Sequence, residues 1–349
     1  MTTRVEIVGS RFGGVLSELA AMLLGAVQRA GHDASIVLGD ERHLGHSSTV
    51  VLLGAGVEFD GVLSSLVHQR ARPKVVLWAL DPFPPPHLTS TALTRGMRAG
   101  RRTNRFRRIG DRTGGGGRRL GRAGRVARSI AIGMASAGRL SPNDAFAFER
   151  LDRVLLAHRA GRIDGIFASS PSAVRVLGSV GVPASYLPVP FDPAMGADLG
   201  RDRDLDAVFI GSTRDGRAAQ VRRLTAALDD AGIGFEVVDR DCFGDDRAAL
   251  LNRARVSINL HKFPWHLERT RLHLSMACGS AVVSELPVPD PDPFEVGRHL
   301  DAAPFASLAG AVASLVHDDA RRRRMVDEAT RLLHDGPTMD GAAARLLAS

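Results

Sequence analysis

At 349 residues, 44% hydrophobic and 24% charged, the chain has the make-up of a folded protein of about two domains. No uncharged apolar run reaches the roughly 18 residues that a membrane-crossing helix needs, and MTTRVEIVGS enters a strand without the apolar core of a signal peptide. Cys242 and Cys278 are the only cysteines, which excludes a disulfide framework or a cysteine-built metal site and points to a reducing, cytoplasmic setting. The net charge of +8 is uneven: residues 95–128 hold 13 Arg and one Asp, a local +12 that leaves −4 for the rest.

The first half alternates strands and helices. RVEIVG (Arg4–Gly9) is a strand, SRFGG (Ser10–Gly14) a turn, and 15–30 an amphipathic helix ended by Gly31. DASIVLG (Asp33–Gly39), Thr49–Leu53 and KVVLWA (Lys74–Ala79) are further strands. Such alternation predicts a parallel, doubly wound α/β sheet. The first turn has Arg11 where a dinucleotide fingerprint needs glycine, which argues against NAD-type binding. Asp81 and the prolines after it stop the pattern. Thr89–Ser129 is rich in Arg and Gly and reads as an insertion that cannot bury a core of its own. It is either a solvated segment or an electrostatic patch, Arg95–Arg128, for an anionic acceptor or a membrane surface. With Phe106 as its only aromatic it lacks the stacking residues of a nucleic-acid groove. Residues 127–137 have the pattern of a short amphipathic helix that would lie on a membrane.

Order returns with a helix over 144–161, a strand at Ile163–Ala168, a helix capped by Ser169-Ser170-Pro171 and a strand within Val182–Pro190. Polar residues 192–204 read as a linker. A second α/β series starts at LDAVFIG (205–211), followed by strands at 233–239, Val256–Leu260 and Ala281–Ser284. Helices are expected over Asp245–Asn252, His266–Cys278, Phe305–His317, Asp319–His334 and Asp340–Ala348.

Polar groups gather where the strands of this second series end. Gly211, Ser212, Thr213 and Arg214 form a strand-to-helix turn, with Arg217 just inside the helix. Free N–H groups and a helix N-terminus there suit a phosphate, although an ordinary turn with surface arginines has the same residues. The GK[ST] ending of a Walker loop is absent. Asn259, His261 and Lys262 end the next strand. Glu268 and Arg271, three apart, are neighbours on a helix. Glu285 stands at the tip of the strand after it. Each has a plain structural reading; their convergence on one sheet edge favours a ligand. Asp202-x-Asp204 and Asp290-x-Asp292 look like acidic pairs, but the first lies in the linker and the second between prolines, and without HExxH or CxxC no metal is expected. No GxSxG nucleophile elbow occurs.

AVFIGSTRDGR, INLH, LERTR, LSMACGSAVVSE and FEVGRHL, spread over 205–335, resemble the GT-B glycosyltransferases, in particular the CgeB-like group with a family-1-type C-terminal domain. LDPFPPP and IDGIFASSPSAVRVLGSVGVPASYLPVPFDP extend the likeness loosely to the first half. The resemblance implies two Rossmann-like domains facing a cleft. These are an acceptor domain over 1–191 and a nucleotide-sugar domain over 205–335, joined by the linker 192–204 and followed by a C-terminal helix over 336–349. It implies a nucleotide-diphosphate sugar as donor substrate and no cofactor. Gly211, Ser212, Arg214, Arg217, Asn259, Lys262, Glu285 and Glu295 would bind the donor. His261, Glu268, Arg271 and Asp81 would be catalytic. The developing charge on the diphosphate would fall to Arg217, Lys262 and Arg271 without a metal. A base, needed only for inversion, would come from Asp81, His43, His46 or His87; the resemblance leans to retention. One departure stands out. Leu274 occupies the place of a ribose-binding Glu, which leaves open a non-catalytic nucleotide- or sugar-binding protein on the same scaffold. Otherwise Glu268 or Glu285 would take over that contact.

Overall fold

The computed structural model describes residues 3–9, 14–38, 47–55, 59–66, 72–98, 144–213, 217–239 and 242–349. Two compact units divide the chain. The first holds Met1–Arg11, Val27–Pro188 and Ala343–Ser349, and the second Phe12–Ala26 and Val189–Ala342.

The first unit is built on a six-stranded parallel sheet, ordered β2-β1-β3-β4-β5-β6. Its strands are β1 (Arg4–Gly9), β2 (Asp33–Leu38), β3 (Thr49–Leu53), β4 (Lys74–Ala79), β5 (Gly165–Ala168) and β6 (Ser185–Tyr186). β3 is buried at every position and β4 at all but Lys74, as central parallel strands covered on both faces must be. Helix α1 (Val15–Arg29) falls mostly in the second unit by this division, whereas α2 (Phe59–Leu66), α3 (Asp144–Arg159) and α4 (Pro171–Ser179) belong to the first. Ser170 caps α4 by accepting from Ala173 N at 3.2 Å, with Pro171 in the first turn. The strand expected within Val182–Pro190 shrinks to two residues, because β6 is an edge paired on one side only.

The Arg/Gly-rich insertion begins later than its composition predicts. Residues 90–98 are helical, and Leu93 and Met97, one turn apart, are buried in the core of the first unit. Each such side chain stabilises by about 1.5–3 kcal/mol. Gly96 is required there: a Cβ would meet the Phe148 ring of α3 at 2.4 Å. The remainder of the insertion, including Phe106 and 127–137, lies outside the described residues.

The second unit carries a five-stranded parallel sheet, ordered β11-β10-β9-β7-β8. Its strands are β7 (Leu205–Ile210), β8 (Phe235–Val238), β9 (Ala254–Asn259), β10 (Ala281–Glu285) and β11 (Asp301–Ala303). The last, DAA, has no strand signature of its own and pairs with β10 by register alone. Helices α5 (Arg217–Asp230), α6 (Gly244–Arg253), α7 (Arg269–Ala277), α8 (Leu308–His317), α9 (Asp319–Asp335) and α10 (Met339–Ala348) complete the chain. Residues 192–204 are tied down within this unit. Leu199 N donates to Asn252 Oδ1 at 2.8 Å, and Arg203 donates to the carbonyls of Leu251, Ala254 and Cys278. Cys278 is fully buried, and burial pushes its thiol up to about 11, so it is an inert core residue. Among the described residues no helix is long and apolar enough to cross a membrane.

Candidate functional site

Strand order locates the place where a ligand has room. In the second unit the chain steps from β7 outward to β8, then returns to the other side of β7 as β9. The connections leaving β7 and β9 therefore diverge, and such a switch point is where open parallel sheets bind ligands. Gly211 follows β7; Asn259 and His261 end β9.

Alternation along β9 sorts its side chains. Val256, Ile258 and Leu260 enter the apolar core, so Ser257, Asn259 and His261 face the other way. Helix α7 covers that polar face. Ser275 donates to Ser257 at 2.8 Å, and Arg271 Nη1 donates to Asn259 Oδ1 at 3.0 Å. The match is geometric: four residues of helix rise about 6 Å, and two residues of strand about 6.6 Å. Asn259, 1% exposed, completes its valence by donating from Nδ2 to Ser284 Oγ of β10 at 2.9 Å. Register places Ser284 directly opposite Asn259.

Arg271 is held from several sides. Nη1 also reaches Leu260 O at 3.3 Å, and its guanidinium lies 5.6 Å from the centre of the Phe209 ring. Arg217, 5% exposed at the start of α5, lies 5.7 Å from the same ring. Gly211 makes the space. A Cβ there would sit 3.0 Å from Arg271 Nη2 and 3.3 Å from Phe209 Cζ, so two guanidinium groups and a glycine-backed turn share one corner. Asp239, just past β8, fixes that turn by accepting from Thr213 N at 2.6 Å.

The other flank of the corner is rich in acceptors. His261 N donates to Glu285 Oε2 at 3.3 Å, and His261 Nε2 lies 2.7 Å from Glu285 O. Burial is the largest influence on the His261 ring and drives its pKa below the ordinary value. For Glu268, burial favours the neutral form, yet the combined fields of His266, Arg271, Arg217 and Lys262 outweigh it and hold the carboxyl below its usual range. Burial presses Arg271 downward, opposed by Glu268. An ionised carboxylate thus sits among cations that outnumber it. The loop carrying it is pinned by Phe263 and Leu267, both buried.

The structure brings Gly211, Arg217, Asn259, His261, Lys262, Glu268, Arg271 and Glu285 into this connected set, with Ser212 in the turn beside Gly211. It does not bring Glu295, which is exposed and paired with Arg298 at 3.3 Å, in turn paired with Glu328 of α9 at 2.9 Å. Asp81 belongs to the first unit. Its Oδ2 accepts from Ala55 N at 2.7 Å, and its Oδ1 pairs with Arg150 of α3 at 3.2 Å. His87 is exposed in a turn after β4. Arg214, His43 and His46 lie outside the described residues. Leu274 is 3% exposed, so the position of the expected glutamate is apolar packing. Of the acidic pairs, Asp204 is bound to Arg253, and Asp290 and Asp292 offer backbone carbonyls to Arg269. Among the described residues no group of three or more His, Cys, Asp or Glu is placed to hold a metal.

Sequence reasoning passed over Phe209, Asp239, His266, Arg269 and Ser284. Two had a readable signal. Phe209 shares a strand face with Gly211, and Asp239 follows β8 just as Gly211 follows its register neighbour β7. Arg269, 4% exposed, had none, since its partners are backbone carbonyls of a distant loop.

The fold recurs in solved glycosyltransferases. HepE of Anabaena, solved with UDP and glucose, aligns at a TM-score of 0.59 and 11% identity over 99% of each chain. Sucrose-phosphate synthase of Thermosynechococcus elongatus aligns at 0.57 and 11% identity, over 99% of this chain and 98% of that one. The β-glucosyltransferase of T4 phage, solved with its UDP-glucose substrate, aligns at 0.54 and 11% identity, over 99% and 97%. No protein-family model matches the chain, and no curated protein matches it in sequence. At these identities the likeness is one of fold: two Rossmann-like parallel sheets in the GT-B arrangement of elements.

Proposed function

We propose that this protein is a glycosyltransferase that moves a sugar from a nucleotide-diphosphate sugar to an acceptor hydroxyl. The observation that carries the reading is the corner at the β7/β9 switch point, where Arg217 and Arg271 flank a glycine-backed turn and Glu268 lies within a surplus of positive charge. The solved proteins of the same fold, two of them named with UDP-glucose or UDP, make UDP-glucose the first donor to try.

In this reading the diphosphate lies against Arg217, Arg271 and Lys262. As the bond from the anomeric carbon to the diphosphate oxygen breaks, negative charge grows on the leaving group. Cations already in place stabilise it without reorganisation, the part a divalent ion would otherwise play, so the proposed transfer is metal-independent. Glu268 and Glu285 accept hydroxyls of the sugar or ribose in place of the glutamate that Leu274 replaces. Retention at the anomeric carbon is the proposed course, supported by the sequence resemblance. The acceptor is anionic or membrane-associated and recruited by Arg95–Arg128, a proposal that rests on charge alone.

Titration with UDP-, GDP- and dTDP-sugars, read by calorimetry and by release of the nucleoside diphosphate, tests the reading. A folded sample that binds none of them sinks it. The buried Leu274 favours a second reading, a nucleotide- or sugar-binding protein without turnover. Saturable binding with no release of diphosphate would select that one.

A further inference from the structure

The two nitrogens of His261 are in different situations. The residue is 6% exposed. Nε2 lies 2.7 Å from the carbonyl oxygen of Glu285. A carbonyl only accepts, so Nε2 carries the ring proton. In the neutral ring Nδ1 is then a bare acceptor, and it is buried without a hydrogen-bond partner. The polar groups beside it are committed elsewhere: Asn259 Nδ2 to Ser284, Asn259 Oδ1 to Arg271, and Arg271 Nη1 to Asn259 and Leu260. Buried polar atoms in folded proteins are paired roughly nine times in ten or more, so this buried acceptor at the sheet edge calls for a donor.

We propose that His261 Nδ1 accepts a hydrogen bond from a hydroxyl of the ligand and so reads the polyol part of the nucleotide sugar. A phosphate oxygen cannot fill this position, because it too is an acceptor and would set lone pair against lone pair. Protonating Nδ1 to suit a phosphate would add a buried charge beside Arg271. Strand order then gives the ligand a direction along the edge. Arg217 stands at the β7–α5 turn and Arg271 Nη2 lies against Gly211 after β7, while His261 Nδ1 and the Glu285 carboxylate stand at β9 and β10, so the phosphates lie toward β7 and the hydroxyls toward β10. This inference rests on the nucleotide-sugar reading. Ribose and the transferred sugar offer the same hydroxyl chemistry, and the test separates them.

Two substitutions dissect the ring. His261→Gln keeps an N–H near the Nε2 position for the Glu285 carbonyl and leaves no atom in place of Nδ1. His261→Asn keeps a polar atom near Nδ1 and loses the reach to Glu285. Calorimetry with UDP-glucose, UDP, and 2′- and 3′-deoxy-UDP reads the outcome. His261→Gln should weaken UDP-glucose by about threefold to tenfold, the worth of one neutral hydrogen bond, and His261→Asn by less. Loss that extends to UDP and vanishes for one deoxy nucleotide places the ribose on Nδ1; loss confined to UDP-glucose places the transferred sugar there. The reverse order, with Gln like wild type and Asn impaired, reduces His261 to a tie for β10 and overturns the proposal. Should either variant fail to fold, long-range proton–nitrogen spectra of the wild-type histidines decide instead. An Nδ1 resonance unmoved by saturating UDP-glucose overturns the proposal while leaving the nucleotide-sugar reading intact. Absence of any nucleotide binding by wild type overturns both.

Discussion

Among the described residues, the groups that end strands in the two parallel sheets treat charge differently. In the first unit, Asp81 follows β4 and is consumed internally by the Ala55 amide and the Arg150 guanidinium. In the second, the groups after β7, β9 and β10 include two arginines and a lysine around one carboxylate, plus a buried histidine nitrogen with nothing to accept from. Position at a sheet edge is common to both. What distinguishes the second edge is that several cations converge on one carboxylate, whereas Asp81 is met by the Arg150 guanidinium. That contrast can be broken or sharpened by substitution.

Arg271→Ala should have the largest effect. It removes the guanidinium over Phe209 and leaves Asn259 Oδ1 and Leu260 O without their donor. Loss of charge-assisted bonds to a diphosphate should weaken UDP-glucose binding about 10²–10³-fold by calorimetry. Arg271→Lys should recover only part, because an ammonium cannot serve Asn259 and a phosphate as a planar fork does. A near wild-type Arg271→Ala would mean that the second edge, like the first, is spent on the fold.

Next comes a pH effect confined to the second unit. His273 of α7 is 6% exposed and packs on Phe294 at 5.6 Å between ring centres. Burial, with Arg269 nearby, lowers its pKa from 6.5 to about 4. The unfolded chain therefore binds a proton on this ring that the folded chain refuses. Stability is full above the unfolded pKa and falls as pH drops from 6.5 toward 4, by about 3 kcal/mol over the whole window. Urea unfolding at pH 7 and pH 4.5 should show a smaller difference for His273→Leu than for wild type. An unchanged difference would remove His273 as its source.

Much of this was legible beforehand, for identifiable reasons. The central strands announce themselves as β-branched runs, and residues that end parallel strands share an edge by topology. That is how Gly211, Asn259, His261 and Glu285 could be grouped without coordinates. Glu295 came from the family resemblance, and its side chain turns to Arg298. Asp81 caps the Ala55 amide, and in sequence an acidic residue after a strand looks alike whether it awaits a ligand or caps an amide. Residues 90–98 were hidden by their neighbours: the surrounding arginines masked a Leu93/Met97 spacing that reaches the core. Tautomers and orphan atoms, as at His261, are facts of partner geometry that no residue pattern encodes.

Asp81→Asn tests the first edge directly. It weakens a charged pairing with Arg150, whose Nη1 is already buried without a partner, and a bond to the Ala55 amide. The expected cost is roughly 2 kcal/mol, seen as a lower urea midpoint for the first unit. Loss of transfer without loss of stability would return Asp81 to the chemistry and erase the contrast.

The smallest effect is expected at Glu295. Its carboxylate meets Arg298 with side chains 61% and 53% exposed, and Arg298 keeps Glu328 as a second partner. The loop conformation does not depend on that carboxylate, since His299 Nδ1 accepts from the Glu295 backbone N at 3.0 Å. Exposed pairs of this kind are screened and carry the entropic cost of two long side chains, so Glu295→Ala should leave UDP-glucose affinity within about twofold of wild type. The comparison with Arg271→Ala is then internal to one unit and one ligand. Arg271 was grouped by its place along the edge and Glu295 by the family resemblance, and of the two Arg271 is built into the corner between β7 and β9. Equal losses would show that the site reaches along the 286–297 loop and that excess charge at the switch point is not what defines it.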